Sequence, residues 1–274
     1  MAASFSISSS AVSLPHGTLS YLEAGCGAPV VLLHGIGSAA CSFQAQFEGL
    51  APRWRVLAWN APGYGGSAGF HEDWPTVDDY SEAVETWLAA LSIDAVHFVG
   101  HSLGSLIAAR VAAKHPERVK SLTLSSCAIG HACLPVAERE RLLAGRIGDV
   151  DTLGPRAMAE MRGPRLLGPD ASLKHIRAVV DNMASVDPRG YAQAARMLSS
   201  GDMLADVTSL SRQVPVQVIF GTADIITPPE ANLRVATARA GIVVATIESA
   251  GHALYVEAAD RFNAILEQFW ATLP

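Results

Sequence analysis

The sequence predicts an α/β fold built on a mostly parallel sheet, and three observations carry that prediction. Short apolar runs alternate with helical patterns at the spacing of right-handed βαβ units. One run, Pro29–Leu33, is apolar throughout, as expected of a strand covered on both faces. Several runs open into glycine-rich or turn-rich loops, at the end of the strand where open α/β sheets bind ligands.

In chain order, weak strand signals at 5–9 and 18–23 flank Pro15 and Gly17 and suggest an antiparallel hairpin. Pro29–Leu33 then delivers His34-Gly35-Ile36-Gly37, where the glycines let main-chain N–H groups approach a reacting atom, so the Ile36 N–H is a candidate oxyanion donor. His34 is expected to fix this loop and is also a candidate substrate contact. A helix at 42–50 and the strand Arg55–Trp59 lead to Asn60-Ala-Pro-Gly-Tyr-Gly-Gly-Ser67. Thr76 can cap a helix running to about Leu91, with Asp79 placed to favour the positive end of its dipole. Strand signals return around 95–99 and at Val119–Ser125.

From about 129 to 212 the strand signal stops and short helical patterns are broken by Gly-Pro and Asp-Pro pairs. Five of the six methionines fall here (Met158, Met161, Met183, Met197, Met203), giving an adaptable apolar surface suited to a lid. Residues 1–128 and 213–274 are accordingly assigned to the core and 129–212 to a helical cap. The sheet resumes at 214–220, followed by the loop that carries Asp224, a helix near 230–240, the strand Val243–Ile247, the loop ending at His252, and a final helix over about 258–271.

Composition narrows the function. A chain of 274 residues, half of them hydrophobic, can bury one large core and carry an insertion. The net charge of −6 and the absence of a basic, aromatic-laced stripe argue against nucleic acid and membrane as partners, and leave a small molecule as the expected ligand. Residues 1–13 lack a basic n-region and apolar h-region, and no run has transmembrane length, so a soluble cytoplasmic protein is expected, with homo-oligomers left open. Cys26, Cys41, Cys127 and Cys133 lack metal-ligand or C-x-x-C spacing, so no metal is expected and the cysteines are read as thiols. Cys127 follows a strand and so falls near the site.

The chemistry centres on Gly100-His101-Ser102-Leu103-Gly104, which lies between a strand and an alanine-rich helix. In that context G-x-S-x-G is a sharp turn that exposes the serine hydroxyl at its tip, making Ser102 the candidate nucleophile. A serine hydroxyl needs a base, and the base needs an acid to hold its tautomer. Two later loops at strand ends offer one candidate each, Asp224 and His252. His101 is expected to point away from the pocket.

These residues together resemble the α/β-hydrolase fold family, specifically its small enzymes with a helical cap. The resemblance runs from about Pro29 to Trp270 and rests on the 34–37, 60–67 and 100–104 motifs and on Asp224 with Gly251-His252, in the family's order of nucleophile, acid and histidine. It implies an eight-stranded sheet with helices on both faces and no cofactor. It also implies Ser102 as nucleophile, His252 as base, Asp224 as its orienter, and an oxyanion hole from the N–H groups of Leu103 and Ile36. Asn60 departs from the pattern, because many relatives carry Asp there.

Serine at 102 disfavours dehalogenases and epoxide hydrolases, which use a carboxylate nucleophile. Ala253-Leu-Tyr-Val256 lacks the tryptophan common in carbon–carbon hydrolases of aromatic ring-cleavage products, while 188–195 and 202–206 resemble the cap of enol-lactonases. The expected function is therefore acyl transfer to water from an ester or lactone of a small organic or aromatic acid, as in aromatic catabolism. Carbon–carbon hydrolysis is the alternative, followed by cofactor-free dioxygenase or perhydrolase chemistry and a non-catalytic receptor. Residues 131–212 hold 11 Lys and Arg against 10 Asp and Glu, so an inward arginine among Arg162, Arg165, Arg189 and Arg196 is expected to clamp a substrate carboxylate.

Overall fold

The structure, a computed structural model, describes residues 6–273. β1 (Ser8–Leu14) and β2 (Gly17–Ala24) form the antiparallel hairpin around Pro15-His16. The first strand lies later than the expected 5–9, and Phe5 is outside the described residues. The turn sets this register: Leu14 sits opposite Gly17, and pairing proceeds outward from there to Ser8 opposite Glu23.

β3 (Pro29–Leu33), β4 (Arg55–Trp59), β5 (Val96–His101), β6 (Val119–Ser125), β7 (Val216–Gly221) and β8 (Val243–Ile247) complete an eight-stranded sheet in the order β1-β2-β4-β3-β5-β6-β7-β8. Every pairing from β4 to β8 is parallel. Side chains alternate across the sheet: Val31, Leu33, Leu57 and Trp59 enter one apolar layer, and Val30, Leu32, Val56 and Ala58 the other.

A 3-10 turn (Ala40–Phe43) precedes α1 (Gln44–Leu50). α2 (Val77–Ala90) starts at the Thr76 cap, where Asp79 returns the hydrogen bond to complete a capping box. α3 (Leu103–Lys114) follows Ser102 directly. α2 and α3 cover one face through Tyr80, Trp87 and Leu106. α1 and a later helix cover the other through Phe47, Leu50, Phe262 and Leu266.

Between β6 and β7 run α4 (Val136–Arg162), α5 (Leu173–Ala184), α6 (Pro188–Ser200) and α7 (Met203–Ser209). α4 bends where Gly154, at φ 76°, meets Pro155, which has no N–H to continue the ladder. α6 is the most buried of the four, and its Gly190 packs so closely on Gly63 that a Cβ on either would strike the other's backbone. α8 (Pro229–Thr237), α9 (Leu254–Glu257) and α10 (Ala259–Trp270) complete the chain. Among the described residues, no helix is long and apolar enough to cross a membrane.

The strand order reverses at β3. The chain passes from β3 to β4 on one side, then crosses back to β5 on the other, and the carboxyl ends of β3 and β5 border the crevice that such a switch leaves.

Candidate active site

Ser102 occupies the turn from β5 to α3 with φ 52° and ψ −117°, a region that an L-residue adopts only under constraint. The flanking glycines make that constraint possible. A Cβ on Gly100 would collide with the Gly104 carbonyl and Ser105 Cα, and one on Gly104 with the Leu33 carbonyl. The elbow is further tied down by the Ser102 N–H, which donates to the Ser125 carbonyl at 2.9 Å, and by the Ser105 hydroxyl, which donates to the Ser102 carbonyl.

His252 follows β8 and Asp224 follows β7. His252 Nδ1 lies 2.9 Å from Asp224 Oδ2, so the imidazole carries its proton on Nδ1 and presents Nε2 as the acceptor. Burial opposes charge on Asp224, but the bond to His252, its proximity, and donation from the Thr227 and Ile226 N–H groups outweigh this and hold the carboxyl at about 2. The Thr227 hydroxyl donates to the same Oδ2 at 2.8 Å and sits 3.1 Å from His252 Nδ1, steadying the pair from the side.

Ser102 and His252 line one cavity of about 610 Å³, a volume suited to a small or medium ligand. Ser102 Oγ makes no hydrogen bond to His252 here. Such contacts are commonly long before substrate binds.

Ile36 and Leu103 line the same cavity, and neither of their N–H groups donates to a described residue. The Leu103 N–H is free because it begins α3. The Ile36 N–H is aimed by its peptide partner: the Gly35 carbonyl accepts from His34 Nδ1 at 2.9 Å and from the Ser38 N–H at 3.1 Å, which turns the N–H of the same planar trans unit the other way. The Tyr64 hydroxyl anchors the next carbonyl, that of Ile36.

Several sequence expectations need correction. His34 does not line the cavity. It is buried, its Nε2 accepts from the Ala61 N–H, and burial lowers its pKa to about 4, so it is a neutral strut between two loops and not a substrate contact. His101 does line the cavity; its Nε2 donates to the His252 carbonyl at 2.9 Å and its buried Nδ1 has no partner. Burial, followed by the nearby His252, lowers the His101 pKa to about 3.

Arg162 and Arg165 line the cavity, whereas Arg189 and Arg196 do not. Arg189 donates to the Phe70 and His71 carbonyls and pairs with Asp73. Arg196 donates to the Asp73 carbonyl and lies over the Trp74 ring. Both sit on the side of α6 that faces the 70–74 loop. Asn60 binds through both ends of its amide: Oδ1 accepts from the Ala40 N–H, and Nδ2 donates to Ser20 Oγ and the Gly65 carbonyl, a donor role a carboxylate could not fill.

Thr227, Arg146, His131 and Arg234 were not singled out from sequence. Thr227 lay within a loop already marked by Asp224, and hydroxyl placement there was its only signal. The other three sit in segments without a motif. Cys127 is a buried thiol in the cavity wall, its pKa raised by burial.

Comparison with known proteins agrees with this architecture. The family model described as alpha/beta hydrolase fold matches residues 28–148. The (E)-2-((N-methylformamido)methylene)succinate hydrolase of Acinetobacter baylyi is 26% identical over 262 residues, spanning 94% of this chain and 95% of that protein. The enol-lactonase from Burkholderia xenovorans superposes with a TM-score of 0.86 at 23% identity, covering 96% of this chain and 100% of that one. A malate-bound esterase from Thermogutta terrifontis gives the same score and identity over 96% of this chain and 97% of its own.

Proposed function

We propose that this chain, which belongs to the α/β-hydrolase fold family, is a serine hydrolase that cleaves an ester or lactone of a small organic acid through an acyl-enzyme. The observation that carries the reading is the shared cavity, in which the strained Ser102, the Asp224-bound His252 and two undonated N–H groups converge.

Each residue has a defined task. His252 Nε2 takes the Ser102 proton as Oγ attacks the carbonyl carbon, and the oxyanion accepts from the Ile36 and Leu103 N–H groups. Collapse of the tetrahedral adduct breaks the C–O bond, and the His252 proton passes to the departing alkoxide. In a lactone that alkoxide stays tethered to the acid. Water, deprotonated by the same imidazole, then attacks the acyl-enzyme; the bond to Ser102 Oγ breaks, the imidazolium returns its proton to that oxygen, and the acid is released. Asp224 stays ionised throughout and stabilises the transient imidazolium.

The names of the similar proteins support an organic-acid substrate, since one acts on a succinate derivative, one is an enol-lactonase and one esterase was solved with malate bound. A p-nitrophenyl ester assay with a serine-directed phosphonate tests the reading. Ser102→Ala is expected to lose about a thousandfold or more in kcat and to abolish labelling. Labelling on Ser105, or undiminished turnover in the variant, would remove Ser102 from the role.

A further inference from the structure

Among the described residues, the cavity beside Ser102 is lined by cations and by no anion. Arg146 and Arg162 reach it from α4, Arg165 from the 3-10 turn that follows and Arg234 from α8, while no described Asp or Glu lines it. This inverts the charge of the whole chain, which is −6. Arg162 is compensated by Asp149. The guanidiniums of Arg146, Arg165 and Arg234 form no ion pair and no hydrogen bond with any described residue. Arg146 is half-buried beside His131, whose pKa burial lowers and the Arg146 charge lowers further. Arg165 and Arg234 stand at the exposed rim, one on the insertion and the other on the core.

A guanidinium stays charged at any pH a protein survives, and its planar fork of donors matches a carboxylate. Uncompensated guanidiniums around one concave wall raise the local potential and concentrate anions there. A neutral ester would gain nothing from them. We infer that the substrate carries, besides its scissile carbonyl, a free carboxylate whose counter-charge is supplied by Arg146, Arg165 and Arg234. The identity of the scissile carbonyl rests on the function proposed above, whereas the anion site rests on the arginines alone. Half-buried Arg146 is placed to hold the carboxylate, and the two rim arginines steer it in from either side of the seam.

Two measurements separate the inference from its premise. The first compares mono-p-nitrophenyl glutarate with its neutral methyl ester, after subtracting the background rate measured with Ser102→Ala. The carboxylate form is expected to have a kcat/KM higher by about tenfold or more at low salt, an advantage that shrinks as ionic strength rises. Arg146→Gln is expected to lose most of this ratio through KM, and Arg165→Ala with Arg234→Ala to lower it with a weakened salt dependence. The second measurement is calorimetric binding of glutarate against dimethyl glutarate in the Ser102→Ala background, where the diester is not turned over, and it stands even where a variant turns over poorly. Glutarate binding that Arg146→Gln weakens, with neither ester cleaved, would uphold the anion site and overturn the hydrolase reading. Equal rates for the two esters together with no preference for glutarate would overturn the inference and leave the hydrolase reading in place.

Discussion

The loops at the carboxyl edge of the sheet and the helices inserted between β6 and β7 meet at one cavity, yet they are built on different terms. The loop groups are buried and their polar atoms are mostly paired: Asp224 alone accepts four hydrogen bonds. The insertion is looser. α4 buries only Leu143, Val150, Met158 and Ala159 along its length, and Leu153, Met161 and Leu173 are exposed. On the function proposed above, the core holds the groups that must be placed within fractions of an ångström, and the insertion supplies the apolar and cationic wall that would select what enters.

The sharpest way to test that division is Asp224→Asn. The amide would present a donor toward His252, favour the wrong tautomer and cost about a thousandfold to ten-thousandfold in kcat, with the melting temperature showing that the fold persists. A single substitution in α4, α5 or α6 that cost as much in kcat on a neutral ester would break the comparison.

Acid should act on the core before it acts on the chemistry of Asp224. His34 and His101 are buried and neutral, with pKa lowered by burial to about 4 and about 3. The unfolded chain protonates these imidazoles near pH 6.5, so between that value and their native pKa it binds more protons than the native state, and stability falls as pH falls. The loss between pH 7 and pH 5 is expected to be roughly 2 kcal/mol for each of the two histidines, read from urea unfolding followed by tryptophan fluorescence. Asp224 runs on a separate window. Its carboxyl lies at about 2, so its contribution is present above the ordinary carboxylate pKa near 4 and is lost only below it. Equal stability at pH 7 and pH 5 would mean that burial does not hold these two imidazoles neutral.

The same division explains what the chain disclosed in advance. The elbow was legible because backbone geometry admits only glycine at 100 and 104, where a Cβ would strike main-chain atoms. Asp224 and His252 were legible because strands mark where loops emerge, and each loop held one residue of the needed type. The edge strand β1 was misplaced because its serine-rich sequence has little apolar pattern, and its register came from pairing with β2. The inward arginines were legible only as a set. A helical arginine faces cavity or solvent according to how the helix is rotated, and partners such as Asp149 and the carbonyls of the 70–73 loop fix that rotation only in the folded chain.

The smallest expected effect sharpens the comparison within the insertion itself. Arg189 and Arg196 share α6 with the buried Tyr191 and Met197, so by sequence they are as near the site as Arg162 or Arg165. Their hydrogen bonds run to backbone carbonyls of the 70–73 loop, and the Arg189–Asp73 pair is exposed on both sides. Exposed pairs of this kind are worth at most about 1 kcal/mol. The double variant Arg189→Ala with Arg196→Ala is therefore expected to lower the melting temperature by a few degrees or less. The ratio of kcat/KM for the anionic ester to that for the neutral one should stay within about twofold of wild type, far from the tenfold change expected on the cavity side. A collapse of that ratio would mean that the outer face of α6 takes part in selecting the substrate, and that the boundary between anchoring and selecting arginines lies elsewhere.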